Sequence, residues 1–121
     1  MESKYIKQNN PSIVPTTDGK TIKEHFGLAS TKEMQYSLAH MIAPPGWSEP
    51  YQTPDFDEIT FMIKGKKKIM IDDDELILKP GESILIKKGS KVQYSNPFHE
   101  DAEYVSYCMP AFSIHLVHRE E

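Results

Sequence analysis

A chain of 121 residues with 38% apolar, 26% charged and 10% aromatic side chains suits one globular domain with a single core, and it excludes a disordered segment. The net charge of −4 offers no basic face for nucleic acid, and no apolar run approaches the roughly 20 residues that span a bilayer. The opening "MESKYIKQNN" lacks the apolar centre of a secretory signal, so a soluble cytoplasmic protein with neither nucleic-acid nor membrane partners is expected.

Residues 1–32 read as an N-terminal arm in which "SIVP" adds an edge strand. "TDGKTIKEHFG" has Thr17 or Asp18 as a turn or cap and Gly27 as a stop, which predicts at most one or two helical turns there. Residues 33–121 read as strand throughout, within one structural domain. "MQYSLAHMIA" alternates Met34, Tyr36, Leu38, His40 and Ile42 on one face with smaller residues on the other. A histidine on such a face is either a hydrogen-bonded core residue or part of a pocket.

"EITFMIKG", "KKIMID", "DELILKPG", "SILIKKGS", "KVQYSNP" and "YVSYCMPAF" follow, each closed by Gly, Pro, Asp or Asn. "DDDE" at Asp72–Glu75 suits a hairpin tip, and "KGKKK" at Lys64–Lys68 suits a solvated turn that protects a sheet edge. Cys108, the single cysteine, permits no intrachain disulfide and reads as a small packed residue. His115 and His118 read as surface or packing residues on an extended tail. This density of short strands predicts an all-β fold, a small antiparallel jelly-roll barrel whose open mouth can hold a ligand.

Two segments give that fold a family. "PPGWSEPYQTPDFDEITFMIKG" keeps Gly46, Glu58 and Gly65 at the spacing of the first cupin motif, and "PGESILIKKGSKVQYSN" keeps Gly81, Gly89 and Asn96 at the spacing of the second. The chain therefore resembles the cupin superfamily over roughly residues 33–110. The metal-binding histidines of the family are absent. Gln52 and Pro54, or Tyr51 and Thr53 under the alternative spacing, stand in the first motif, and Val92 stands in the second. In this respect the chain is similar to ethanolamine-utilisation-type cupins, a resemblance that implies an atypical or metal-free pocket and a homodimer.

With Glu58 pointing inward, as the resemblance implies, Thr60 and Met62 share its face, and Val92, Tyr94 and Asn96 line the partner strand. Trp47, Glu49, Tyr51 and Gln52 come from the proline-rich lip, and His40 is a further candidate. The expected site binds a small molecule, a sugar or small organic acid. Three functions compete: a binding protein without chemistry; a metal-independent isomerase, lyase or hydrolase with Glu58 as general acid or base beside Tyr51 or Tyr94; and a divalent-metal enzyme using Glu49, Gln52 and Glu58. No cofactor is expected. Ile59, Phe61 and Ile63 alternate outward opposite the pocket face, where a second copy would cover them.

Overall fold

A computed structural model describes residues 4–120. Nine strands and one short helix follow one another: β1 (Ser12–Val14), β2 (Thr21–Phe26), β3 (Ser37–Ala43), β4 (Asp57–Lys64), β5 (Lys67–Ile71), β6 (Asp74–Leu78), β7 (Ser83–Ile86), β8 (Val92–Ser95), β9 (Ala102–Met109) and α1 (Ile114–Val117). They form a six-stranded sheet in the order β1-β2-β3-β9-β4-β7 and a three-stranded sheet in the order β6-β5-β8. Every pairing is antiparallel, and the two sheets enclose one core as a jelly-roll β-barrel.

The inner faces show why the barrel has room inside. In β3 and β9 the inward residues pair as Ser37 with Cys108, Ala39 with Ser106, Met41 with Tyr104 and Ala43 with Ala102. Apart from Met41 and Tyr104, these side chains are small. Met62, Ile69, Leu78, Ile86 and Val92 fill the core at one end together with Trp47, Tyr94 and Tyr104. A second cluster of Phe56, Cys108 and Val117, backed by Phe112 and Leu116, sits under α1. A cavity remains between the two clusters.

The lip is pinned to β8 through its backbone. Asn96 N–H donates to Trp47 (2.7 Å), Gly46 N–H donates to Asn96 (2.8 Å), and Gln52 and Val92 exchange bonds of 2.9 and 2.8 Å. Asn96 also clamps two turns, since its amide donates to the Ala43 and Glu100 carbonyls at 3.0 and 2.8 Å. The two retained motifs therefore hold each other.

Three expectations are corrected. "TIKEHF" is the strand β2 rather than helical turns: Thr, Ile and Phe favour a pleat, and pairing with β3 and β1 satisfies the backbone on both sides. The faces of β3 are reversed relative to the pocket: Ser37, Ala39 and Ala43 are buried inward, whereas Leu38, His40 and Ile42 lie on the outer face. Bulky side chains pointing inward at those places would fill the space that the small ones leave open. His115 and His118 belong to a helical turn and its left-handed cap (φ 49° at His118), where Ser113 caps the helix by accepting from the His115 N–H. Among the described residues no helix is long and apolar enough to cross a membrane.

Candidate functional site

The cavity has a volume of about 70 Å³. β4 brings Glu58 to its wall, β5 brings Lys67, β8 brings Tyr94, and β9 brings Tyr104, Ser106 and Cys108. Glu49 and Gln52 enter from the lip, Lys20 and Glu24 from the β2 side, and Arg119 from the segment after α1. Three cations and three carboxylates thus converge on an otherwise apolar and aromatic wall, a pattern typical of small-molecule sites.

Most of these charges are already partnered. Glu49 Oε2 lies 3.4 Å from both the Lys20 ammonium and the Arg119 guanidinium, and Arg119 Nε donates to Gln52 Oε1 at 3.1 Å. Glu24 accepts from the Ser30 backbone N–H at 2.7 Å. The Tyr94 hydroxyl donates to Glu58 Oε1 at 2.8 Å. Burial pushes the Tyr94 hydroxyl well above its ordinary range, and the adjacent Glu58 carboxylate adds to the shift.

Lys67 differs from the other cations. It is 2% exposed and makes no ion pair among the described residues. Its ammonium instead lies 4.0 Å from the centre of the Tyr94 ring and 3.8 Å from that of Tyr104. Burial lowers its pKa to about 8, against the opposing pull of Glu58. Tyr104 is fully buried, its hydroxyl has no hydrogen-bond partner among the described residues, and burial raises it as well. Cys108 is buried and its thiol is pushed up, by burial first and then by Glu58, so it is a poor nucleophile.

The lip is braced from two sides. Trp47 is buried in the core, and its indole N–H donates to Asp18 at 2.7 Å. Burial acts to raise the Asp18 carboxyl, but this bond and that from the Lys20 backbone hold it below its ordinary value. On the other side, residues 116–120 run along the lip. Asp55 N–H donates to Leu116 (2.8 Å) and Glu120 N–H to Tyr51 (2.7 Å), which carries Arg119 to the cavity.

Of the residues singled out in the sequence, Glu58, Tyr94, Glu49 and Gln52 line the cavity. Trp47, Met62 and Val92 lie in the core beside it. Thr60 is buried with its hydroxyl 3.4 Å from that of Ser106, and Asn96 is the clamp described above. Tyr51 lies outside the cavity wall under the Lys91 ammonium (5.0 Å). His40 is outside as well, with Nε2 2.7 Å from Glu103 on the outer face. Sequence reasoning missed Lys20, Glu24, Lys67, Tyr104 and Arg119. For Lys67 a signal exists: it is two residues from buried Ile69, so period-two alternation points it inward despite the surrounding lysines.

The profile of the family described as "Ethanolamine utilisation protein EutQ" matches residues 2–112. A Myxococcus xanthus protein named "Endoribonuclease YbeY" is 37% identical over 115 residues, covering 95% of this chain and 39% of that protein. "Acetate kinase EutQ" of Clostridioides difficile is 33% identical over 111 residues, covering 88% of this chain and 62% of that protein. The chain thus spans less than two thirds of the length of either curated relative. The solved structure of the Clostridium difficile EutQ protein is similar at a TM-score of 0.61 and 29% identity, over 88% of this chain and 69% of that one. An RmlC-like cupin from Shewanella frigidimarina superposes with a TM-score of 0.75 at 10% identity, over 95% of this chain and 97% of that one, a likeness of fold alone. A jelly-roll barrel that keeps both cupin glycine frames and matches this profile over most of its length belongs to the EutQ family of the cupin superfamily.

Proposed function

We propose that the barrel mouth binds a small organic acid. The observation that supports this most is Lys67, a buried cation at the cavity wall with no ion-pair partner among the described residues, next to Tyr104, whose hydroxyl is also unpartnered. A buried charge and a buried hydroxyl are both costly without partners. A carboxylate entering beside them supplies two acceptors and one balancing charge. A volume of about 70 Å³ restricts the ligand to a handful of heavy atoms.

The relative named for acetate kinase is consistent with a ligand of this class. Its kinase activity is not carried over, because this chain covers 62% of that protein. The ribonuclease name of the other relative is not carried over either, because this chain covers 39% of that protein. Thermal-shift titration with acetate, lactate and succinate tests the reading, with ethylene glycol and ethylammonium as controls. The acids should stabilise the chain, the controls should not, and Lys67→Met should abolish the effect. Equal stabilisation by the controls would refute a carboxylate site.

The mouth is a poor fit for a divalent metal. Of the three candidate ligands, Glu49 is engaged by Lys20 and Arg119, Gln52 by Arg119, and Glu58 by Tyr94. Lys20, Lys67 and Arg119 also place positive charge in the same cavity. Elemental analysis of untagged protein should find less than about a tenth of an equivalent of metal.

The Glu58–Tyr94 bond supports a second reading, metal-independent acid–base chemistry on the bound acid. Loss of turnover in Glu58→Gln with ligand binding retained is its signature. The outer sheet face, with Ile59, Phe61 and Leu85 43–52% exposed, is the face on which a second copy of the chain would pack to give a homodimer. Sedimentation of Phe61→Glu against the unaltered chain tests this.

A further inference from the structure

Lys67 is distinguished from the other cavity cations by what does not hold it. Lys20 and Arg119 are tied to Glu49, whereas among the described residues the Lys67 amine is held by the faces of two tyrosine rings and by no ion pair. β5 fixes its backbone on both sides, by pairing with β6 and β8. The amine is therefore a positioned group in a small, mostly apolar cavity, with the hydrogen-bonded Glu58–Tyr94 pair on the same wall.

We propose that Lys67 is a nucleophile that captures small carbonyl compounds, aldehydes or 2-oxo acids, as an imine in the barrel mouth. This rests on the mouth being a ligand pocket and deepens it by naming a reactive class of ligand. The neutral amine attacks the carbonyl carbon, forming a C–N bond as the C=O π bond breaks, and one N–H proton passes to the carbonyl oxygen to give the carbinolamine. Glu58, held by Tyr94, takes the second N–H proton and returns it to the carbinolamine hydroxyl, which leaves as water as the C=N bond forms. The net change is carbonyl plus amine to imine plus water, with no oxidant or reductant consumed.

Two physical features favour the step. The tyrosine faces that accommodate an ammonium also accommodate a protonated imine. Burial leaves a working share of free amine: at about 8, roughly a tenth of Lys67 is neutral at pH 7, against less than about one in a thousand for an ordinary lysine. The groups that set this balance are Glu58 on β4 and Glu49 on the lip, which favour the ammonium, and Lys20, which opposes it.

The test is reductive trapping. The chain is incubated with glyoxylate or acetaldehyde and cyanoborohydride, followed by intact mass and peptide mapping. One adduct at Lys67, forming at least about tenfold faster than at any other lysine and rising in rate through pH 8, is expected. Lys67→Arg, which keeps the charge and removes the nucleophilic amine, should lose that adduct alone. Labelling spread over surface lysines, or none at Lys67, overturns the proposal. Acetate stabilisation measured on the same sample tells the two readings apart: acetate bound without trapping at Lys67 leaves the acid pocket standing and removes the imine.

Discussion

The Tyr94 hydroxyl donates to the Glu58 carboxylate across 2.8 Å, joining β8 of one sheet to β4 of the other inside the cavity. A hydrogen bond to a charged acceptor in a partly buried site contributes on the order of 1.5–3 kcal/mol, about twice a neutral one. Tyr94→Phe and Glu58→Gln should each destabilise the chain, and the double variant should lose less than their sum. A double-mutant cycle by urea unfolding should return a coupling of roughly 1–3 kcal/mol. A coupling near zero would mean that the two groups do not meet in solution.

Lys67 sets a pH dependence whose sign is fixed by the direction of its shift. Its pKa is lowered to about 8, so the folded chain sheds this proton before the unfolded one, whose lysine titrates near 10.5. Between those values the unfolded state binds more protons, and the contribution of Lys67 to stability improves as pH rises. Below pH 8 the burial penalty is fully present, on the order of 3 kcal/mol before the attraction of the tyrosine rings offsets part of it. The stability of Lys67→Met relative to the unaltered chain should therefore be highest below pH 8 and fall as pH rises to about 10.5. A difference independent of pH would show that Lys67 is not buried as a cation.

The fold was legible where geometry forces residue type. Gly46 and Gly65, with φ of +83° and +71°, sit at turns that an ordinary side chain resists, so their spacing around Glu58 survived as a readable frame. The face of β3 was not legible, because apolar bulk usually marks the core and here the inner wall is built small around a cavity. Lys67 was hidden by composition: four lysines in five residues look like a solvated turn until the alternation is counted back from Ile69. Arg119 reaches the site only because residues 116–120 bond to a lip more than sixty positions earlier in the chain, a contact with no local signal.

The Glu49 site predicts an asymmetry. Both cations lie 3.4 Å from the same carboxylate oxygen, but the Lys20 side chain is 8% exposed and that of Arg119 is 37% exposed. Removing the buried partner leaves a buried charge poorly compensated, whereas the exposed one is largely screened by water. Lys20→Met should cost several-fold more than Arg119→Gln in urea unfolding, with the latter under about 1 kcal/mol.

Gly65 and Gly46 share a left-handed backbone but differ in space. A Cβ at Gly65 would run into the Asp101 carbonyl oxygen, while one at Gly46 meets nothing within 4 Å. Gly46→Ala should cost about 1 kcal/mol from backbone strain alone, and Gly65→Ala roughly 2–4 kcal/mol, because the β4–β5 turn must also move away from the β9 entrance. Equal losses in thermal unfolding would contradict the close approach.

Tyr104→Phe separates structural from ligand-binding roles at the centre of the site. The hydroxyl is buried without a partner among the described residues, so it carries a desolvation penalty. Its removal keeps the ring beneath the Lys67 ammonium, 3.8 Å away, and opens only a small space. The variant should therefore be as stable as the unaltered chain, or more stable by up to about 2 kcal/mol, where most buried substitutions destabilise. Acetate should bind it more weakly, by roughly five- to twentyfold, if the hydroxyl donates to the bound carboxylate. Unchanged acetate affinity would assign anion recognition to Lys67 alone, and a clear loss of stability would mean that the hydroxyl has a partner without acetate.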